Sequence, residues 1–326
     1  METDFSSEDK KYFGSIFKQI NTKFNRCLWP GESCSDSAIR AHSIQNSGVL
    51  DLLCVDNHVI MPKAEITIEK GPNLIFEKIG RNKATTFTGL CDKHDSILFD
   101  PIDNYKFDAN NEEKLFLLAY RSVLRELHTK MKTGIDIQTQ YMKGCELGKF
   151  NVDAPDEPMI MAKIALAEAY TFYLYKTEFD KIYLKRNFEQ IVHQVDLIKN
   201  IAPSIAVSSV LSFIDNMRHI QDRKDPKGIV LNIFPSDDGT YIIFSYRKEH
   251  ENNLLPHLDR ILNAEKYYKL YLVSKLILMH CENVVMSPAF YQKLSESKIE
   301  LLKSFFMKNL SVDKADIENV DLYLFN

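Results

Sequence analysis

Three cysteines and one histidine in the first hundred residues have the side chains and spacing to bind zinc. Cys27 and Cys34 flank a Pro-Gly turn, and Cys91 precedes His94 by three positions in a segment with a helical pattern. Zinc binds thiolate and imidazole ligands tetrahedrally, and residues three apart lie on one face of a helix. The sequence therefore predicts a structural Zn²⁺ site formed by Cys27, Cys34, Cys91 and His94.

The first cysteine pair is spaced more widely than in most zinc knuckles. Six residues separate Cys27 from Cys34, whereas about two to four are typical. A single cysteine is also a common small core side chain. Two alternatives therefore stay open: His42 replaces Cys27 as a ligand, or these residues form a core without metal.

Two short motifs resemble those of the HNH, or ββα-metal, endonucleases. One is Ala41-His42-Ser43-Ile44, and the other runs from Leu90 to Asp95 as Leu-Cys-Asp-Lys-His-Asp. In that family a histidine-bearing strand follows a cysteine pair, and a helix with further ligands completes a treble clef. The resemblance covers residues 27–99. It departs from the family at Gln45, where proline is common, at the middle asparagine, which has no clear counterpart, and at Asp95, where histidine or asparagine is usual.

The resemblance implies two metal ions with different roles. His42 would be the general base that activates water, and Asp95 would help to bind Mg²⁺ or another divalent ion at the scissile phosphate. The implied function is metal-dependent cleavage of DNA or RNA, in a setting such as bacterial defence or mobile-element conflict. The alternative hypothesis is a non-catalytic, zinc-stabilised binding or sensor protein in which His42 bonds to backbone groups.

Composition narrows the class of protein without identifying it. The 326 residues carry a formal net charge of −4, which argues against non-specific coating of nucleic acid. A modest basic segment at residues 63–83 is either a phosphate-binding surface or a solvated face of small strands. The six scattered cysteines and the acidic, polar N-terminus favour a reducing compartment without a secretory leader. We expect a cytoplasmic protein without a membrane partner, since no apolar run approaches about 20 residues.

The surrounding pattern predicts an α+β protein in two parts. Residues 1–104 are expected to form the small treble-clef zinc module. It would contain a leading helix over residues 6–24, short strands between Cys27 and Thr88, and a helix from Gly89 to Phe99 that ends at Asp100-Pro101.

Residues 105–326 are expected to form a larger, helix-rich domain that binds a protein partner or makes a homo-oligomer. One long helix begins at Asn110, and a second begins at Asp156 or Glu157 and runs towards Asn200. A β-hairpin turns at Asp238-Gly239. Helices resume over residues 252–308 with a break near Ser287-Pro288, and a closing strand is expected at residues 322–325.

Overall fold

The computed structural model of the protein describes residues 24–67, 71–104, 106–151, 153, 157–212, 225–309 and 321–326. These residues form helices and sheet together, which confirms the α+β class. The strands are β1 (Ala41–His42), β2 (His58–Thr67), β3 (Gly71–Gly80), β4 (Thr86–Phe87), β5 (Ile191–Ile198), β6 (Ile205–Ser212), β7 (Gly228–Ser236), β8 (Gly239–Arg247) and β9 (Val284–Met286). The helices are α1 (Asp92–Asp103), α2 (Glu112–Glu146), α3 (Glu157–Lys185), α4 (Glu251–Leu262), α5 (Lys266–His280) and α6 (Glu296–Asn309).

Short helical turns connect these elements at Asn46–Leu50, Asp51–Leu53, Phe188–Gln190, Lys248–His250 and Pro288–Tyr291. The leading helix predicted over residues 6–24 lies outside the described residues, apart from Phe24.

One antiparallel sheet joins seven strands in the order β3-β2-β9-β6-β7-β8-β5. Strand β7 is buried from Gly228 to Pro235, as expected for an apolar strand covered on both faces. Ile229, Leu231 and Ile233 pack into a core with helices α4 to α6. The alternate residue Val230 packs on the opposite face, in a core shared with α1, α2 and α3.

The first hundred residues contribute to this sheet and its cores. Ile60 of β2 pairs with Met286 of β9, and Leu74 of β3 belongs to the core formed by α4 to α6. The boundary predicted near residue 104 therefore does not separate two sheets or two cores. Sequence patterns report local periodicity, whereas the pairing of β2 with β9 joins residues far apart in the chain.

A second, two-stranded sheet pairs β1 with β4, in the register Ala41 with Phe87 and His42 with Thr86. The residues between these strands include the β2–β3 hairpin. Helix α1 begins at Asp92, five positions after β4 ends. The pair of strands is therefore followed directly by a helix, although the two strands are distant in sequence.

Two predicted helix ends are wrong. Helix α1 continues through Pro101 to Asp103. The Gln45 side chain supports this last turn, because its Nε2 donates to the carbonyl oxygens of Ile102 at 3.3 Å and Asp103 at 2.9 Å. Helix α3 stops at Lys185, well before Asn200, because Arg186 adopts a left-handed conformation with a φ of 53° and the β-branched sequence of β5 follows. Tertiary contacts override local preference in the first case, and backbone conformation ends the helix in the second.

The predicted hairpin is confirmed as β7–β8, with Ser236 paired to Gly239 and a two-residue turn between them. Gly239 has a φ of 143°, and a side chain there would collide with the Ile198 carbonyl. The predicted closing strand is wrong, because residues 321–326 form no strand. Instead Leu324 N donates to Ser274 Oγ at 3.0 Å, so a side-chain hydroxyl satisfies the backbone.

Candidate metal centre

The four predicted zinc ligands converge in the structure. One ligand atom from each of Cys27, Cys34, Cys91 and His94 lies within 4.8 Å of every other. His94 Nδ1 is 3.4 Å from Cys27 Sγ and 3.3 Å from Cys91 Sγ. Cys34 Sγ is 3.9 Å from Cys91 Sγ, so these two thiols form no disulfide.

These separations fit a tetrahedral zinc ion. Zn–S bonds of about 2.3 Å and Zn–N bonds of about 2.0–2.1 Å place sulfurs about 3.8 Å apart and sulfur and nitrogen about 3.6 Å apart. The S–S distance of 3.9 Å between Cys34 and Cys91 is close to the first value, and the S–N distances of 3.3 and 3.4 Å are slightly shorter than the second. The donor set and the geometry therefore suit Zn²⁺, and four protein ligands leave no open coordination position.

Backbone hydrogen bonds hold the two halves of the cluster together. Leu28 N donates to the Gly89 carbonyl and Ile39 N to the Leu90 carbonyl, both at 2.8 Å. These bonds tie the residue after Cys27 and the segment after Cys34 to the residues that lead into α1. Cys91 N also points at Cys27 Sγ, at 3.4 Å. An amide donor so placed would stabilise a thiolate when metal binds.

The cluster is largely enclosed. Cys27 is 7% exposed and Cys91 is 3% exposed, and both belong to the core formed with α1, α2 and α3. Burial is the main cause that raises the pKa of the Cys27 thiol, to about 11. A thiol of that pKa is protonated at neutral pH, so metal binding there must displace a proton.

His42 lies outside the cluster, so the alternative in which it replaces Cys27 as a ligand is wrong. Its Nε2 is 3.1 Å from the Arg81 carbonyl oxygen. A carbonyl only accepts, so Nε2 carries the proton and Nδ1 is the proton-accepting nitrogen of the neutral ring. Burial lowers the pKa of His42 below its ordinary value of 6.5. The ring is therefore neutral at pH 7 and has the protonation state of a general base.

Asp95 lies on the first turn of α1, immediately after His94. Burial raises the pKa of its carboxyl group to about 6, the charge of Arg121 opposes this shift, and Asp103, Asp92 and Asp100 add to it. No hydrogen bond or ion pair of the Asp95 carboxylate is found within the described residues. A carboxylate among other carboxylates is a suitable ligand for a hard divalent cation.

A partly buried ion pair acts electrostatically on both candidate catalytic residues. Arg121 of α2 makes a bidentate contact with Asp103, at 2.8 and 2.5 Å. Its guanidinium also stacks over Phe99, 4.1 Å from the ring centroid. The charges of Arg121 and Asp103 act on the pKa of His42 and on that of Asp95. The fold thus brings His42 and Asp95 to one polar region, although no direct contact joins them.

The sequence patterns do not indicate Arg121 or Asp103 as site residues. Arg121 lies within the helix predicted to begin at Asn110, and the structure shows it to be only 3% exposed. A charged residue at such a buried position requires a partner. The sequence does not identify Asp103 as that partner, because the helix predicted from Gly89 ends at Asp100-Pro101, before Asp103.

The basic segment at residues 63–83 is partly neutralised by ion pairs. Lys63 Nζ lies 3.0 Å from Glu77, and Arg81 pairs with Asp51. Lys78 and Lys83 are exposed and form no ion pair in the described part of the chain. Two positive side chains of this segment therefore remain available to phosphate.

A second acidic and histidine cluster comprises Asp225, Glu249 and His250. Arg247 lies among them and donates to Asp225 at 2.8 Å, while His250 Nε2 contacts the other oxygen of the same carboxylate at 2.8 Å. These two neighbours hold the pKa of Asp225 below its usual range against the opposing effect of burial. The arrangement is explained as an ion-pair network around Arg247.

Comparisons with known proteins identify no relative. No protein-family model matches the chain, and neither curated proteins nor solved structures contain a match. Among the residues that the structure describes, no helix has the length and apolar character needed to span a membrane.

Proposed function

We propose that this chain is a zinc-stabilised, HNH-like nuclease. In this proposal Cys27, Cys34, Cys91 and His94 bind a structural Zn²⁺. His42 acts as general base, and Asp95 helps to bind a second divalent ion, such as Mg²⁺. The substrate is a phosphodiester of DNA or RNA.

The observation that carries the proposal is the strand pair β1–β4 with His42 at its end, followed by α1 with Asp95 in its first turn; the charges of Arg121 and Asp103 act on the pKa of both residues. His42 ends β1, which pairs with β4, and the chain then passes through Cys91 into α1. A zinc ion at the start of α1 would fix that helix relative to the strand pair. This sequence of knuckle, strand pair and helix supports the resemblance to the ββα-metal endonucleases.

The chemistry follows from the protonation state of His42. Its free Nδ1 would take a proton from a water molecule, and the resulting hydroxide would attack the phosphorus. The bond from phosphorus to the leaving oxygen then breaks, and that oxygen takes a proton from solvent. A divalent ion at Asp95 would stabilise the negative charge that develops on the phosphate. The protein's part is to orient His42 through the Arg81 carbonyl and to present Asp95 on the first turn of α1.

A zinc-stabilised binding protein without catalysis is the second candidate. The hydrogen bond from His42 to Arg81 favours it, because this bond alone explains why a histidine occupies the end of β1. Both candidates require the zinc site. Only the nuclease requires a free Nδ1 and a second divalent ion.

The test is cleavage of supercoiled DNA, single-stranded DNA and RNA by zinc-loaded protein, with Mg²⁺ or Mn²⁺ added. His42→Ala should lower the rate by about 10²–10⁴-fold, the usual contribution of a general base, with zinc content unchanged. His58→Ala is the matched control, because His58 is a histidine of the same region whose Nδ1 bonds with the local Asp56 carbonyl oxygen at 2.6 Å. Its rate should equal that of wild type.

Asp95→Asn should raise the concentration of divalent ion needed for half-maximal cleavage, whereas Asp238→Asn, at the exposed turn of the β7–β8 hairpin, should leave it unchanged. A wild-type rate in His42→Ala would remove His42 from the mechanism. Nucleic-acid binding by wild type without cleavage of any substrate would favour the binding protein.

A further inference from the structure

A small cavity, here called the α2–β7 cavity, lies between helix α2 and the seven-stranded sheet. It is lined by residues of α2 and β7 and by part of residues 43–49, and its volume is about 40 Å³. Its wall is mostly apolar, with Ile44, Val49, Phe107 and Phe234 among the lining residues. One water molecule occupies about 10–15 Å³ of such space, so there is room for about three water-sized groups.

Two buried side chains of the lining each have a donor without an acceptor. Arg121 of α2 is 3% exposed, and Asn232 of β7 is 4% exposed. Within the described residues, no group accepts a hydrogen bond from Arg121 Nε or from Asn232 Nδ2. Buried polar groups of native proteins are nearly always hydrogen-bonded, either to protein or to another molecule. The two donors therefore indicate that the cavity has an occupant.

The other contacts of these side chains explain why one donor of each is left over. Nη1 and Nη2 of Arg121 bind the Asp103 carboxylate end-on, at 2.8 and 2.5 Å, which leaves the Nε edge of the guanidinium. Asn232 Oδ1 accepts from Ser122 Oγ at 3.0 Å, which leaves the amino group. Each side chain is thus fixed by one partner and retains an N–H group for a second.

These donors favour an occupant that only accepts hydrogen bonds. Both unpartnered buried atoms of the described lining are N–H donors, whereas a water molecule needs acceptors for its own protons as well. An ionised carboxylate has two acceptor oxygens and no proton. The two charged side chains that line the cavity, Arg121 and Lys114, are both cations. The lining therefore suits a carboxylate better than water or a neutral amide.

We propose that the α2–β7 cavity binds a small monocarboxylate of the size of acetate. One carboxylate oxygen accepts from Arg121 Nε, the other accepts from Asn232 Nδ2, and the methyl group lies against the apolar wall. Acetate has a methyl group and two oxygens around one carbon, which matches the space in the cavity. The cavity is only partly enclosed, and the half-buried Gln45, Phe107 and Lys114 belong to its lining, so the ligand can enter beside them.

The first test compares small ligands on full-length, zinc-loaded wild type by isothermal titration calorimetry. Acetate should bind at one saturable site in the millimolar range, because so small a ligand has few atoms to contribute. Acetamide has the same shape without the charge and should bind about tenfold more weakly. Benzoate should not bind, because its ring exceeds the cavity. Equal affinities for acetate and acetamide would overturn the proposal.

Two variants test whether the ligand lies in this cavity. Asn232→Leu removes one donor and should weaken acetate binding by about tenfold. Leu118→Phe should weaken it by filling the space, because Leu118 lines the cavity from α2. His193→Gln is the matched control, because His193 Nε2 is another buried, unpartnered atom but lies on β5, outside the lining. This variant should bind acetate as wild type does.

Zinc content and the midpoint of thermal unfolding, measured for each variant without acetate, separate loss of folding from loss of binding. Where a variant does not fold, the ligand series on wild type decides. Acetate that binds no better than chloride at equal ionic strength would leave the cavity to water and would overturn the proposal. Equal acetate binding by wild type and both cavity variants would place the anion elsewhere and would overturn it as well. The readout is binding, so the outcome does not depend on nuclease activity.

Discussion

The indole ring of Trp29 lies flat on the imidazole ring of His94, with ring centroids 4.3 Å apart and planes 7° from parallel. Tyr183 contacts the indole edge-on, at 5.9 Å between centroids. The stack holds the imidazole with Nδ1 towards the thiols of Cys27 and Cys91. In the proposed zinc site Trp29 would therefore orient the ligand His94 without itself binding metal, which is the role of outer-shell groups in zinc sites.

Loss of this stack should weaken zinc binding. Trp29→Ala should lower the zinc affinity by about 10–100-fold, as is usual for outer-shell partners, and Trp29→Phe should retain most of it. Competition with a chromophoric chelator measures the affinity. Wild-type affinity in Trp29→Ala would show that the protein fold orients His94 without the indole.

A glycine provides an independent test of the same stack. A Cβ at Gly31 would lie 2.5 Å from Trp29 Nε1, whereas a Cβ at Gly80 would meet nothing within 4 Å. Gly31→Ala should therefore displace the indole and lower the zinc affinity, and Gly80→Ala should leave it unchanged. Equal affinities for the two variants would contradict the proposed role of Trp29.

The purified protein should contain about one zinc ion per chain, because a closed four-ligand site contributes its binding energy to folding. Cys91→Ser should lose most of the zinc and lower the unfolding midpoint. Cys54→Ser should keep the metal, because Cys54 lies outside the cluster, packs against a separate core and has its thiol 3.5 Å from the Asp51 carbonyl oxygen. Elemental analysis and thermal unfolding measure both effects, and equal metal loss in the two variants would indicate general unfolding.

The sequence predicts the metal cluster better than it predicts the fold around it. Cys91 and His94 are neighbours on a helix, so their shared face follows from local spacing. The β2–β3 hairpin also has a local signal, but its place beside β9 depends on contacts between distant residues. The Arg121–Asp103 pair was missed for a similar reason. Its two residues belong to different helices, and only packing brings them together.

The proposed nuclease should lose activity in acid through His42. Because burial lowers the pKa of His42 below 6.5, the neutral, proton-accepting ring persists at neutral pH. The cleavage rate at saturating divalent ion should therefore be level near pH 7 and fall only as pH drops through the lowered pKa. A rate that already halves above pH 6.5 would contradict this assignment.

His193 should make stability depend on pH independently of the metal centre. Its Nδ1 bonds with Ser245 Oγ at 2.8 Å, and burial lowers its pKa to about 4. Between pH 6.5 and 4 the unfolded chain therefore binds a proton at His193 that the folded chain does not bind. Stability is therefore full above pH 6.5 and decreases as pH falls, by at most about 3 kcal/mol.

The difference between wild type and His193→Gln isolates this effect from zinc loss, which acidification also causes. Urea unfolding at several pH values should show the wild type losing more stability than the variant between pH 6.5 and 4.5. Parallel curves for the two proteins would show that His193 is protonated equally in the folded and unfolded states.

Residues 105–326 should not fold alone, because the first hundred residues complete their cores. Leu50 and Val59 are fully buried in a core shared with Leu115, Phe234 and Val285. Exposing a large buried aliphatic side chain costs about 1.5–3 kcal/mol, and a domain has only about 5–15 kcal/mol of net stability. Loss of several such contacts, together with the pairing of β2 with β9, should therefore remove the cooperative thermal transition of the fragment.

Co-expression of the fragment with residues 1–104 should restore this transition. The full-length protein should unfold as one unit, and its midpoint should fall when a strong chelator removes zinc. A fragment that melts cooperatively by itself would instead show that the sheet and helices beyond residue 104 are an autonomous domain, on which the β2–β3 hairpin is a dispensable addition.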